Sequence, residues 1–225
     1  MLLKAELISG GNPLRSITGA QCAMVLFQIL AICGMLSPII YTMMWILGGI
    51  LDKEYSHIRD DVSSLMAVGA PNKKLFDKFI AASSTLLFIF YLGLHWGVNN
   101  GAGSIIGPIL FISSGLLGVL VALFFPLDEG GEIVTTRGKM HLILISISGV
   151  LATTGMVALW FRLESVVGWS NFATFSLITA AVSLIFVVIS AVTATKSYFG
   201  LIERFMVSTY QIYYFILALM VFLMN

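Results

Sequence analysis

The chain has 225 residues, of which 59% are hydrophobic and only 10% are charged. Soluble globular domains carry about 25% charged residues, so this composition excludes a water-soluble fold. The net charge of +1 offers no basic surface for nucleic acid, and we expect no nucleic-acid partner. The apolar runs are long and lack the alternation of barrel strands, which favours transmembrane helices.

Six apolar runs predict an all-α integral membrane protein, a six-transmembrane-helix bundle with an amphipathic first loop. We expect a single transmembrane domain over residues 1–225 and a multi-pass location in the cell membrane. No cleavable signal peptide is expected, because the first run is far longer than the apolar core of a signal peptide. The predicted spans are about 20–51, 79–98, 104–126, 141–161, 173–194 and 206–223.

An even number of spans places both termini on one side and loops one, three and five on the other. These loops cover residues 52–78, 127–140 and 195–205. They hold nine of the 12 Lys and Arg residues, so the positive-inside rule favours a cytoplasmic position for them. They also hold nine of the 11 acidic residues, and we expect the polar chemistry of the protein on this side.

Loop one carries ten of the 23 charged residues in the chain. Within it, Ile58, Val62, Leu65 and Met66 recur at helical spacing, which predicts an amphipathic helix that Gly69 would end. One interpretation places this helix on the membrane surface with its polar face in water. The other folds loop one back over the bundle, where it would line a polar pocket.

The pocket interpretation identifies a set of ligand-binding residues. Arg59 suits a phosphate or carboxylate, because the guanidinium fork binds planar oxyanions through two hydrogen bonds. The other members carry hydroxyl, imidazole, amide or carboxylate groups. The full predicted set is Tyr55, Ser56, His57, Arg59, Asp60, Ser63, Asn72 and Asp128.

A second set of residues is a candidate for catalysis, namely Asp60, Ser63, Asp128 and His141. Asp128 follows the proline that ends span three, and His141 opens span four, so both are expected at the same boundary as loop one. Carboxylates and histidines together serve as acid and base or bind a metal. No local spacing of metal ligands occurs, so we predict no metal site, and the sequence identifies no cofactor. The alternative is that these groups form interfacial salt bridges and helix caps.

Two polar residues inside the predicted spans, His95 and Gln211, are considered for a functional role. His95 comes late in span two, where it is expected to reach the interface. Gln211 in span six is expected to bond a neighbouring helix. A contact to a transported substrate is the alternative for both residues.

Three segments, YSHIRDDVSSLMAVGAPNKKLF, FFPLDEGG and KMHL, resemble a polytopic membrane family of bacteria and archaea described as a domain of unknown function (DUF 998). More distantly, loop one is similar to a motif of the FRAG/DRAM/Sfk membrane proteins, which are associated with lipid remodelling. That likeness implies an outward or lumenal loop one, opposite to the charge count. The matching residues are Tyr55, Ser56, Arg59, Asp60, Ser63, Leu65, Ala67, Gly69, Ala70, Pro71, Asn72, Leu75, Phe76, Phe125, Pro126, Asp128 and His141.

Three functions follow in order of preference. The first is binding or remodelling of a membrane lipid or other amphiphile through a polar pocket formed by loops one, three and five. In it, Arg59, Lys73 and Lys74 would bind an anionic headgroup. The second is a non-enzymatic structural role or binding of a membrane protein partner. The third is transport of a small molecule. Whether the protein is an enzyme stays open.

Overall fold

The computed structural model describes residues 13–129 and 133–225, without the side chains of residues 13–18 and 20. Within these residues, six helices are long and apolar enough to cross a membrane. The chain is therefore an all-α multi-pass membrane protein, as the sequence predicts. The helices are α1 (Pro13–Leu51), α2 (Lys73–Gly97), α3 (Ile106–Phe124), α4 (Thr136–Leu163), α5 (Ser170–Thr193) and α6 (Phe199–Met224).

The six helices form a closed ring. Each helix packs against its neighbours in sequence, and α6 returns to pack against α1. Loops one, three and five therefore lie at one end of the bundle, which we call the loop end, and the chain termini lie at the terminal end. Helix α1 has 39 residues and continues through Pro38, so its length of about 58 Å exceeds the ~30 Å hydrocarbon core.

At the loop end, three helices begin earlier than the hydrophobic pattern predicts. Helix α2 begins at Lys73, α4 at Thr136 and α6 at Phe199, whereas the predicted spans begin at 79, 141 and 206. The additional turns carry charged residues, because helical hydrogen bonding continues past the apolar region into the interface. Loop one is consequently shorter and covers residues 52–72, and much of the predicted loop five belongs to α6.

Aromatic side chains fill the centre of the ring. The rings of Phe111 on α3 and Tyr213 on α6 stack with their centroids 5.9 Å apart, and both residues are fully buried. Hydroxyl groups join neighbouring helices in the same region. The Ser114 hydroxyl donates to the Ser148 carbonyl at 2.9 Å. These contacts are typical of membrane bundles, where packing and interhelical hydrogen bonds stabilise helix association.

A buried arginine organises the terminal end. Arg162 on α4 is 8% exposed, and its guanidinium donates to the carbonyls of His95, Val98, Ala102 and Ser104 at 2.8–3.1 Å. These carbonyls belong to the end of α2 and the turn into α3. His95 also lies beside the guanidinium, with its Nδ1 atom 3.3 Å from Nη1. One cation therefore holds the α2–α3 hairpin against α4.

We expect Arg162→Lys to lower the stability of the protein by roughly 2–3 kcal/mol, because one ammonium cannot reach the carbonyls that the fork of Arg162 satisfies. Thermal unfolding in detergent should show a melting temperature several degrees lower. The matched control is Arg137→Lys, since Arg137 is exposed at the start of α4. Equal melting temperatures for the two variants would show that the hairpin does not depend on Arg162.

Candidate functional site

Loop one is folded against the helices at the loop end. Its only helical segment among the described residues is a single 3-10 turn over Ser63–Met66, so the predicted amphipathic α-helix is wrong. Val62 and Leu65 are buried in a cluster with Met44 of α1 and Phe76 of α2. The loop is amphipathic as a folded segment, but Ile58 lies outside the buried side and is 56% exposed.

Glycines on two helices allow loop one to approach the bundle closely. A Cβ atom added to Gly49 of α1 would lie under 3.0 Å from the His57 imidazole. One added to Gly200 of α6 would lie under 3.0 Å from the carbonyl oxygen of Asp60. Loop one therefore lies between α1 and α6 at a distance that larger residues do not permit.

Arg204 on α6 holds the inner side of loop one. Its side chain is 7% exposed, and Nη1 donates to the carbonyl oxygens of His57 and Asp60, each at 2.8 Å. Nη2 donates to the hydroxyl of Tyr55. The guanidinium also lies 5.3 Å from the centroid of the Tyr55 ring and 5.6 Å from that of Trp45, within cation–π distance.

The positive charge of Arg204 is stabilised without a direct ion pair. Among the residues described, ion pairs join only Arg59 with Asp60 and Lys73 with Asp77. Carbonyl dipoles and aromatic faces surround the Arg204 guanidinium instead. Its Nε atom is buried and has no hydrogen-bond partner within the described chain.

The first two turns of α6 make further contacts with loop one. The Glu203 carboxylate accepts a hydrogen bond from the Val62 N–H at 2.7 Å. The Leu201 N–H donates to the carbonyl of Ile58 at 3.0 Å. Both the side chains and the backbone of α6 therefore fix the path of loop one.

Asp61 is a carboxylate enclosed beneath loop one. It accepts a hydrogen bond from the Ser64 N–H at 2.7 Å, which holds the start of the 3-10 turn. Burial raises the pKa of Asp61, although the bonds from Ser64 and the nearby charges of His141 and Arg204 act in the opposite direction. Ionisation of Asp61 is therefore costly, because burial disfavours the charged form.

The predicted oxyanion ligand Arg59 is already paired. Its Nε and Nη2 atoms contact the two carboxylate oxygens of Asp60 at 2.6 and 2.9 Å. Asp60 also accepts from the Ser56 N–H at 2.8 Å. Burial favours the neutral form of Asp60, but the hydrogen bonds from Arg59 and Ser56 outweigh it and lower the pKa. A ligand oxyanion would have to compete with Asp60 for this fork.

Asp128 joins the beginning of loop three to its end through hydrogen bonds. One carboxylate oxygen accepts from the N–H groups of Val134 and Thr135 at 2.8 and 2.7 Å, and the other accepts from the Thr135 hydroxyl at 2.6 Å. These bonds, above all those from Thr135, lower the pKa of Asp128. Thr135 in turn caps α4 by accepting from the Gly138 N–H. Asp128 thus positions the beginning of α4.

His141 is buried on α4, where its Nδ1 atom lies 2.6 Å from the carbonyl oxygen of Phe125. Loops one and three meet nearby, since the Val68 N–H donates to the Leu127 carbonyl at 3.0 Å. Within the described residues, no hydrogen bond joins His141 to Asp60 or Asp128. The candidate catalytic groups therefore have separate partners. Ser63 is half-buried in the 3-10 turn.

An open cleft of about 940 Å³ lies at the loop end, between loop one and helices α4, α5 and α6. Four of the predicted ligand-binding residues line it, namely Tyr55, Arg59, Asp60 and Asn72. The other four, Ser56, His57, Ser63 and Asp128, lie outside its lining.

Sequence reasoning missed the most enclosed charges of this region. Glu203 and Arg204 were assigned to a loop, whereas they lie on the second turn of α6. Their spacing from Gly200 by three and four residues places all three on one helix face, which was the available signal.

Gln211 does not bond a neighbouring helix through its carbonyl oxygen, which is buried without a partner among the described residues.

Within the described chain, no group of three or more His, Cys, Asp and Glu residues is arranged to hold a metal ion.

Gly200→Ala is expected to loosen loop one from α6, because the new methyl group meets the backbone carbonyl of Asp60. Alanine favours a helix by about 1 kcal/mol over glycine, so a net loss of stability would come from the clash. Hydrogen exchange should increase in residues 55–61. The control is Gly118→Ala on α3, where a Cβ meets no atom within 4 Å. Unchanged exchange in Gly200→Ala would contradict the close docking.

The pKa shifts of Asp61 and Asp60 predict opposite pH effects. Because the pKa of Asp61 is raised, its contribution to stability is complete below about pH 4 and is lost as the pH rises through the raised pKa. Asp61→Asn should therefore gain melting temperature relative to the parent protein as the pH rises from 4 to 8. The pKa of Asp60 is lowered, so its contribution is present above about pH 4 and is lost on acidification.

Asp60→Asn should accordingly lose melting temperature relative to the parent protein at neutral pH and approach it in acid. Parallel melting curves for the two variants across this range would contradict the assigned environments.

Comparison with known proteins identifies one family. No curated protein and no solved structure matches the chain. The family described as "Protein of unknown function (DUF998)" matches residues 35–220, which covers all six helices in whole or in part. The matched residues include loops one, three and five and all the residues that line the cleft. The chain therefore belongs to the DUF998 family of membrane proteins.

Proposed function

We propose that this protein binds a lipid or other amphiphile of the cell membrane in the cleft at the loop end. The observation that carries the proposal is the two-sided lining of the cleft. Loop one supplies polar groups on one side, and membrane-spanning helices supply apolar groups on the other. An amphiphile has the same division between headgroup and chain.

The apolar side of the cleft faces the hydrocarbon region. Leu142 of α4 and Val187 and Ala191 of α5 line it, and all three are exposed on the surface of the bundle. With no protein covering this side in the described chain, lipid would contact it directly. An acyl chain can therefore enter sideways between α4 and α5 without leaving the membrane.

The size of the cleft also supports the proposal. Small-molecule sites usually have volumes of about 300–1,000 Å³. The cleft, at about 940 Å³, can hold a headgroup and the upper part of a chain, while the remainder of the chain stays in the bilayer. Loop one forms the outer wall of this space, and Arg204 keeps it there through the carbonyls of His57 and Asp60.

The arrangement favours binding over catalysis. Catalytic acids, bases and nucleophiles act together when they lie within hydrogen-bond reach of one another or of the reacting group. Asp60 is paired with Arg59, Asp128 with loop three, and His141 with the carbonyl of Phe125. These contacts assign Asp60, Asp128 and His141 each a structural partner.

Photoreactive phospholipids test the proposal. Protein in nanodiscs would be labelled with lipids that carry a diazirine in the acyl chain and mixed ethanolamine, choline and glycerol headgroups. Labelling of Leu142 and Val187 is expected, and Ala191→Phe should reduce it several-fold by filling the cleft. Ala181→Phe adds the same ring to an exposed position of α5 outside the cleft lining and should leave labelling unchanged.

Equal labelling of these residues in both variants would mean that lipid contacts only the outer surface of the helices. That result would overturn binding in the cleft. Folding of each variant is checked by size-exclusion chromatography and melting temperature before labelling.

A further inference from the structure

The charged groups that line the cleft are mainly acidic. Five carboxyl-bearing residues contribute to its lining, and Arg59 is the one cationic residue that does so among those described. The acidic members are Asp52, Glu54, Asp60, Asp61 and Glu129. A headgroup in the cleft therefore meets an excess of negative charge.

The nearby cations do not neutralise this excess. The Arg59 fork is occupied by Asp60. Lys73 donates to both carboxylate oxygens of Asp77 and to the Met66 carbonyl, and it does not line the cleft. The remaining acidic groups of the lining have no ion pair among the described residues. Burial raises the pKa of Asp61 although the charges of His141 and Arg204 act against it, so these cations compensate its burial only in part.

A second, independent feature of the cleft indicates a missing polar ligand. Ser190 of α5 lines the cleft and is 7% exposed. Its hydroxyl is buried and has no hydrogen-bond partner in the described part of the chain. Buried polar groups are nearly always satisfied, so an unsatisfied hydroxyl in the wall of a cavity is explained by a group that occupies the cavity.

We infer that the cleft selects an amphiphile with an amine-bearing headgroup, held by the unpaired carboxylates of its lining and by the free hydroxyl of Ser190. This inference rests on the proposed function and specifies its ligand class. An ammonium group supplies a positive charge and several N–H donors, whereas a purely anionic headgroup is repelled by the lining. This inference differs from the prediction from sequence, in which Arg59, Lys73 and Lys74 bind an anionic headgroup.

The test uses the photoreactive lipid assay with one headgroup at a time. The probes are phosphatidylethanolamine, its N-acetylated form, in which the amine charge is removed, and phosphatidylglycerol, each in nanodiscs of otherwise identical composition. Labelling of Leu142 and Val187 by phosphatidylethanolamine should exceed labelling by the other two about three- to tenfold.

Two acidic variants and one control separate charge from folding. Asp61→Asn and Glu129→Gln should each reduce the preference for phosphatidylethanolamine. Glu129 is exposed and makes no hydrogen bond within the described residues, so its replacement is not expected to disturb the fold. Glu164→Gln removes one exposed carboxylate at the terminal end and should leave the preference intact.

The remaining outcomes are decisive. Equal labelling by all three lipids, or a preference for phosphatidylglycerol, overturns the amine assignment. Lipid binding in the cleft stands in that case if Ala191→Phe still reduces the labelling. Absence of labelling in the cleft with every lipid overturns the proposed function as well. Displacement of the lipid by free phosphoethanolamine at concentrations well below that of the lipid would assign the site to a soluble amine and overturn the choice of an amphiphile.

Discussion

The hydrogen-bonding requirement of one buried guanidinium determines the structure of the loop end. A charged group removed from water is strongly destabilising unless acceptors surround it. Arg204 obtains those acceptors from the carbonyls of His57 and Asp60 and from the Tyr55 hydroxyl. Loop one must therefore turn its backbone inward over α6, and the glycines at 49 and 200 make the approach possible.

This choice of acceptors has an electrostatic consequence for the cleft. Because backbone carbonyls and aromatic rings stabilise Arg204, the cation does not form a direct pair with a carboxylate. Asp61 and the other acidic groups of loop one that line the cleft make no ion pair with Arg204 within the described residues. Arg162 holds the α2–α3 hairpin through carbonyls in the same way. Both ends of the bundle thus depend on an arginine that binds backbone.

The number and type of helices were predictable because apolar runs of about 20 residues, without the alternation of barrel strands, cross a bilayer as α-helices. The shape of loop one was not, because tertiary contacts of Val62 and Leu65 override their helical spacing. Four of the residues predicted to bind a ligand, Tyr55, Arg59, Asp60 and Asn72, line the cleft. Arg204 was missed since its burial depends on a loop 140 residues earlier in the chain, which periodicity does not reveal.

Disulfide formation between loop one and α6 tests the central claim most directly. Cysteines would replace Ile58 and Leu201, whose backbones are joined by a 3.0 Å hydrogen bond, in a protein with Cys22 and Cys33 changed to serine. A protease site in loop three would allow the two halves to be separated on a non-reducing gel. We expect rapid cross-linking between positions 58 and 201 that holds the two halves together, and greatly slowed cross-linking after Arg204→Leu. Cross-linking that is absent, or that is unaffected by loss of Arg204, would contradict the central claim.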